Sequence, residues 1–492
     1  MFTTFKGLKP FQLSEYIFLT LFAFFIPISW RIATFLMIGL FICCILKGIF
    51  EDGFKINLLQ YNNKVVYFIF IAFWLIYAIS FLYSENSTEA RIQIGKKLSF
   101  FLFPLFFLCS NLSYLYKNRV RMIMYCFVYG ILVLFIANFI WAVYDILFEN
   151  VDMKRLISHH QFFKTNENDM ILPSIHRAYL SIFSCTALVF CCVEFFKYKH
   201  FKIFNAITIT ILIFIPFFLT SRAGILCTCL ISFFIWFWII FSLKKHKIGI
   251  ITGLIFATLL TASYFAFPKS IDKFTKAINN IKNGKGDTRI TLRLGVRNAI
   301  YDNFIFGSGV GDRNDETMKS FQKYKDYIIS KIKPIEHTDL NINKIQIIFQ
   351  DSICKYEHKY LEYAYQYADS IINKNKYDDS PIKEYLSEYR IIKHCMKYEM
   401  NAHNQFSDTI IAVGIIGLLL LLGMFFVPIY LWIKYRKFDI IFFSLIFIFA
   451  FNSLFESVFE RQMGIMFFTF FYFLLFHGFF CQQTTNDSQQ TL

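Results

Sequence analysis

Charge is scarce in this sequence. Of 492 residues only 17% are Asp, Glu, Lys or Arg, where a soluble domain carries roughly a quarter. The deficit falls in apolar blocks of roughly 18 to 25 residues, the length needed to cross a ~30 Å hydrocarbon layer. Residue-by-residue alternation is missing from these blocks, which excludes a barrel and leaves helices. A cleavable secretion signal is missing too: Met1 to Pro10 has neither the short apolar region nor the small-residue cleavage site, so the first helix is expected to stay as an anchor. The twelve cysteines show no zinc-ligand spacing, and nine lie in or at apolar helices, where Cys behaves as a small hydrophobe. His159 and His160 lack an acidic or Cys partner at ligand spacing, so no metal is expected. No internal repeat is found.

What is present is phenylalanine, 66 residues of it, in a chain that is 56% hydrophobic. The apolar blocks lie at residues 12–29, 31–50, 65–83, 98–112, 120–148, 176–196, 203–220, 223–243, 248–267, 406–433, 438–456 and 462–480. The expected fold is an all-α polytopic membrane protein of about twelve transmembrane helices, with one large, mainly helical loop between helices 9 and 10. Residues 1–267 would hold the first nine helices, 268–405 the loop, 406–480 the last three helices and 481–492 a polar tail.

The net charge of +16 follows topology rather than a polyanionic partner. With the N-terminus cytoplasmic, basic clusters fall on successive inside loops: Lys47, Lys55 and Lys64; Lys117, Arg119 and Arg121; Lys197, Lys199 and Lys202; Lys244, Lys245 and Lys247; Lys434, Arg436 and Lys437. Lys96 and Lys97, on the other side, are the exception. This is the positive-inside pattern of a bacterial inner (cytoplasmic) membrane protein with both termini cytoplasmic. It implies contact with membrane lipid and no nucleic acid. The large loop then lies outside, where Cys354 and Cys395 form a disulfide or stay as two buried thiols.

Several chemistry-bearing residues converge on that outer face. Arg222 opens a helix after the tight turn Thr220-Ser221; it suits bidentate phosphate binding, and also reads as a snorkelling anchor. Arg289, Arg293 and Arg297 recur every four residues and on one helix form a basic ridge, either a diphosphate clamp or a solvated face. Gly307, Gly309 and Gly311 could turn backbone N–H groups toward a phosphate or simply make a turn. His403 and Asn404 precede the tenth helix, where an imidazole can take a proton from an attacking hydroxyl or serve as a cap or surface residue, and Asp408 could orient it or simply favour the helix N-terminus. His176 opens the sixth helix in the same plane. Glu456, Glu460 and Arg461 mark the last outer turn and read as an interfacial salt bridge. Ionisable residues avoid mid-span positions, which argues against an ion-coupled transporter.

From about His176 onward the chain resembles the O-antigen ligase and O-antigen polymerase superfamily of bacterial membrane glycosyltransferases. The turn Thr220-Ser221-Arg222-Ala223-Gly224 looks like that family's S-R-G/A element. Arg293-Leu294, followed by Phe306-Gly307-Ser308-Gly309-Val310-Gly311-Asp312, looks like its arginine and glycine stretch. The run Asn401-Ala402-His403-Asn404-Gln405-Phe406, with Val413-Gly414-Ile415-Ile416-Gly417, looks like its histidine signature. The chain departs at Arg297, where Trp is usual, and at Phe304-Ile305, where Asn-Pro is usual, so Arg289 or Arg297 could stand in for Arg293. The resemblance implies transfer of a glycan from undecaprenyl diphosphate to an acceptor sugar, such as lipid A-core, at the periplasmic face. It implies inversion, with no metal, cofactor or nucleotide sugar. Arg222 and Arg293 would hold the diphosphate, His403 would activate the acceptor hydroxyl or fix the reacting phosphate, and Arg289, Arg297, His176, Asn404, Gly307 and Gly309 would line the substrates. A repeat-unit polymerase is the nearest alternative, and a lipid or polysaccharide flippase the alternative of another class.

Overall fold

The structure, a computed structural model, describes residues 8–52, 64–148 (without 111 and 113), 176–266 (without 199), 288–332, 391–398 and 401–478 (without 437), together with 275, 279 and 388. The pair His159 and His160, the thiol of Cys354 and the tail 481–492 lie outside these residues. Every regular element described is helical. Eight helices among the described residues are long and apolar enough to cross a membrane, and four shorter apolar ones accompany them. The described residues are those of an all-helical, multi-pass membrane protein.

In chain order the helices are α1 (Pro10–Phe25), α2 (Trp30–Lys47), α3 (Lys64–Ser80), α4 (Ser87–Lys97), α5 (Ser99–Cys109), α6 (Lys117–Phe148), α7 (Arg177–Val193), α8 (Lys202–Phe218), α9 (Arg222–Phe241) and α10 (His246–Ala266). A polar excursion follows, with α11 (Thr288–Gly295), α12 (Arg297–Asp302) and α13 (Arg313–Ile332). The chain then returns through α14 (Gln405–Tyr435), α15 (Ile440–Ser453) and α16 (Gln462–Phe476).

A helix that is apolar all round belongs inside a bundle. In α7 every residue after Arg177 is buried, and in α16 every residue after Gln462 is. The α16 aromatics meet rings from several neighbours: Phe470 lies 4.6 Å from Phe22, Phe467 4.3 Å from Phe183, and Phe473 5.0 Å from Tyr67. With lipid as apolar as the core, such packing contacts hold the helices together, each aromatic pair adding about 0.5–1.5 kcal/mol. The outer helices instead turn large apolar side chains outward, among them Phe35, Ile42, Ile250 and Phe426, as a lipid-facing surface requires.

One end of the bundle is basic. There Glu15 of α1 accepts from Lys47 Nζ at 2.9 Å, from Ser110 Oγ at 3.0 Å and from Tyr114 Oη at 3.0 Å. Glu194 pairs with Arg121, whose Nε stands 2.8 Å away. The opposite end carries the polar excursion.

That excursion is built into the bundle through a break in α14. At Gly414 the backbone leaves the helix (φ 68°, ψ −165°), so nearby carbonyls and N–H groups lose their helical partners. The glycine run supplies them. Ser308 N donates to Ile411 O at 2.7 Å, Gly309 N to Ala412 O at 3.1 Å, and Ile415 N to Phe304 O at 2.8 Å. Interrupted helices are tolerated at membrane depth only when protein satisfies the freed groups in this way. Gly307 and Gly309 hold positive φ, and a Cβ on Gly307 would strike the Ala412 carbonyl.

Replacing Gly414 by Ala imposes a left-handed φ on a side chain and drives its Cβ into the Ile305 carbonyl. The expected cost is more than about 1 kcal/mol, read as a lower Tm of the detergent-solubilised protein. Gly423→Ala on the same helix meets only Ile69 at 3.4 Å, and should be neutral or slightly stabilising.

Candidate active site

The site grows from the first turn of α14. Asn404 is its N-cap, accepting from Ser407 N at 3.0 Å. The preceding residue, His403, sits in the left-handed region (φ 47°), where Asn401 Oδ1 accepts from its N–H at 3.1 Å. A non-glycine residue held there stores strain of about 1–3 kcal/mol, and such strain clusters at functional positions. Here it aims the imidazole at the turn between α15 and α16. His403 Nδ1 lies 3.2 Å from Glu456 Oε2. The other oxygen, Glu456 Oε1, accepts from Arg289 Nη2 at 3.0 Å.

Arg289 and Arg293 are one turn apart on α11, and both reach the same turn. Arg293 Nη2 donates to Leu454 O at 2.7 Å, and Asn404 Nδ2 donates to that carbonyl at 3.1 Å. The opposite side is apolar: Leu292 of α11 and Val296 just after it are buried with Phe321, Ile328, Ile392 and Cys395 in a small separate core. This amphipathic burial orients the two arginines. The expected three-member ridge stops there, because α11 ends at Gly295 and α12 begins at Arg297. Arg297 instead lies against Tyr301, 5.4 Å from its ring, and lines a separate cavity with Tyr324 and Tyr327.

His176 caps α7, its Nδ1 3.4 Å from Ala178 N. Burial first, then the Arg461 charge, push its pKa down to about 4, while Glu456 opposes them. It is therefore neutral at pH 7. Burial alone would raise the Glu456 carboxyl, but the hydrogen bond and charge of His403, then Arg289, hold it below the usual range. It is a carboxylate at neutral pH.

Arg222 begins α9 at this same end of the bundle. Its preceding residue Ser221 caps the helix and lies 3.4 Å from Ser181 of α7, and Thr220 before that holds a left-handed φ of 49°. The glycine run does not form a phosphate cradle. The Gly307 and Gly309 N–H groups donate to Asn303 O and Ala412 O, and those of Val310 and Gly311 to Ser80 and Ser84 hydroxyls. Asp408 does not orient His403 either. It is buried and accepts from Ser457 Oγ.

A second carboxylate, Glu460, pairs with Arg313 and with Lys97 at 3.6 Å. Burial opposes its ionisation, yet Arg313 and then Lys97 hold its pKa below normal. This pairing accounts for Lys97, an outlier in the basic pattern. Tyr179 Oη to Val458 O at 3.1 Å and Phe459 N to Gln405 Oε1 at 2.7 Å lock the turn between the two carboxylates.

Sequence reasoning assigned Glu456 and Glu460 to ion pairs but did not find their partners. The signal was two carboxylates four residues apart in a short turn between apolar helices, facing a side rich in arginine. Among the described residues no group of three His, Cys, Asp or Glu is placed to hold a metal. No family model matches this sequence, and no curated protein matches it.

Stability should follow the protonation of His176. The unfolded chain protonates this residue near pH 6.5, the folded chain only near 4. Its contribution is therefore complete above 6.5 and lost as pH falls toward 4. Glu456 and Glu460 lose theirs only below about 4.5. Tm measured against pH should fall less steeply between 6.5 and 4.5 in His176→Asn than in the parent, and an unchanged slope would contradict this assignment.

Proposed function

We propose that this chain is a glycosyltransferase resembling O-antigen ligases. It would move a glycan from undecaprenyl diphosphate to an acceptor sugar hydroxyl, with lipid A-core as the acceptor. In this reading twelve helices cross the bacterial inner membrane, both termini are cytoplasmic and the polar end faces the periplasm. The basic residues gathered at the opposite end support that orientation.

The observation that carries the reading is the chain of contacts His403–Glu456–Arg289, with Arg293 beside it, at one end of an apolar bundle. Glu456 is ionised and acceptor-only, so His403 Nδ1 donates to it and Nε2 is left as the proton acceptor. An acceptor hydroxyl attacking the anomeric carbon would lose its proton to Nε2. The bond from that carbon to the diphosphate oxygen breaks on the opposite face, and the configuration inverts. The electron pair leaves with the diphosphate, where Arg293 and Arg222 would offset the developing charge. Arg293 donates only one described hydrogen bond and is exposed, which leaves guanidinium donors for an anion. Exposed apolar side chains on the helices suit the polyprenyl chain.

Deleting the gene and sizing the envelope glycolipids tests this. Loss of polymer from lipid A-core, with lipid-linked polymer accumulating, is the expected result. A single repeat unit still attached to core would make the chain a polymerase. Complementation with His403→Ala should lower transfer by about 10²–10⁴-fold at normal protein abundance, and a wild-type profile would refute the mechanism. Glu456→Gln keeps the shape but not the charge and should lower transfer by a smaller factor.

A further inference from the structure

Beside the candidate site lies a cavity of about 330 Å³ that shares His176 with it. His176 lines this space, and its ionisation feels the charges of both His403 and Glu456, so the two sites adjoin. The apolar part of the wall comes from Trp30, Tyr179 and Met463. The polar part comes from Lys96, Glu460, Arg461 and Gln462.

The electrostatics of this space are one-sided. Glu460 is already closed onto Arg313 and Lys97. Lys96 and Arg461 have no hydrogen-bonded or ion-paired side-chain partner among the described residues, and the single carboxylate of Glu460 faces Arg313, Lys97 and Lys96 together, so the border of the cavity is net positive. Three helices also begin there, α2 at Trp30, α7 at Arg177 and α16 at Gln462. Each directs the positive end of its dipole toward the cavity. Ser29 caps α2 and His176 caps α7, while α16 has no capping side chain and its Gly464 N–H donates to Arg461 O at 3.0 Å.

From this arrangement we infer that the cavity binds the phosphate of a phosphorylated saccharide headgroup, with Lys96 and Arg461 on the anion and Trp30 against the sugar ring. Two cations bordering one cavity match a phosphate, and an aromatic ring beside them matches a sugar better than a bare ion. Placing the glycosyl acceptor here rests on the glycosyl-transfer reading, whereas the anion binding stands independently of it. A phosphorylated acceptor anchored beside His176 would present its hydroxyl to His403 next door.

The test uses the full-length protein in phosphatidylcholine nanodiscs, titrated calorimetrically with glucose 1-phosphate and, separately, with glucose. Glucose 1-phosphate should bind and glucose should bind much more weakly. The double variant Lys96→Gln/Arg461→Gln should weaken binding by about tenfold or more, and Lys96→Arg/Arg461→Lys should restore it, which separates lost charge from misfolding. In a second arm, discs containing phosphatidylglycerol are compared by thermal shift. Stabilisation confined to these discs and lost in the Gln variant would keep the anion site and assign it to a lipid headgroup. No binding in either arm, or equal binding by parent and Gln variant, would overturn the inference. His403→Ala should leave glucose 1-phosphate binding intact, so intact binding without any glycosyl transfer by the parent would defeat the enzymatic reading alone.

Discussion

Two carboxylates in the short turn between α15 and α16 hold the polar part of this protein to its apolar part. Glu456 gathers His403 and Arg289, and Glu460 gathers Lys97 and Arg313. The four partners come from segments far apart in sequence, including the excursion and the end of α4. Burying such charges costs several kcal/mol each, and only good pairing returns that cost. Removing Glu460 would strand two buried cations, Lys97 and Arg313, a penalty of about 3–5 kcal/mol. The turn itself has little freedom, since Gln405, Asp408 and Tyr179 hold its backbone and the Ser457 hydroxyl.

The second constraint is the break in α14. A helix of 31 residues is too long to be one simple crossing. Gly414 divides it, and the stretch from Phe304 to Gly309 closes the gap with backbone hydrogen bonds. The segment before the break carries His403 and Asn404 at its start and lies against the small core that orients Arg289 and Arg293. The excursion therefore acts as a wall of the site. Positions set by helices and short turns keep geometry better than positions on long loops, and the strained backbone of His403 is held by Asn401 on one side and Glu456 on the other.

Much of this was legible in the sequence. The apolar blocks announced the helices because a hydrocarbon layer demands long uncharged runs, and α7 and α16 could be read as spans, though not as the bundle's interior. The local signals were also readable: His403 sits where polar sequence gives way to an apolar run, and Arg293 sits on a short amphipathic segment of the excursion. Three features were not. Regular spacing of Arg289, Arg293 and Arg297 suggested one ridge, but Gly295 ends the helix before the third. The glycine run could be read as a phosphate cradle or as a plain turn, and its N–H groups are spent on Asn303, on the α14 carbonyls and on the Ser80 and Ser84 hydroxyls, mostly long-range pairings that no local pattern reports. Asp408, about one turn into α14, could have oriented His403, yet Glu456, 53 residues away, is the one that meets it.

The central claim is that His403, oriented by Glu456, transfers a glycan off a lipid diphosphate. Its most direct test is reconstitution of the full-length protein in liposomes with a polyprenyl-diphosphate-linked oligosaccharide of known anomeric configuration and a soluble sugar acceptor. The product's linkage is then determined by NMR. The expected result is a new glycosidic bond of inverted configuration, with release of one polyprenyl diphosphate per bond formed. Retained configuration, or no bond formed by a folded protein that binds both substrates, would contradict the account.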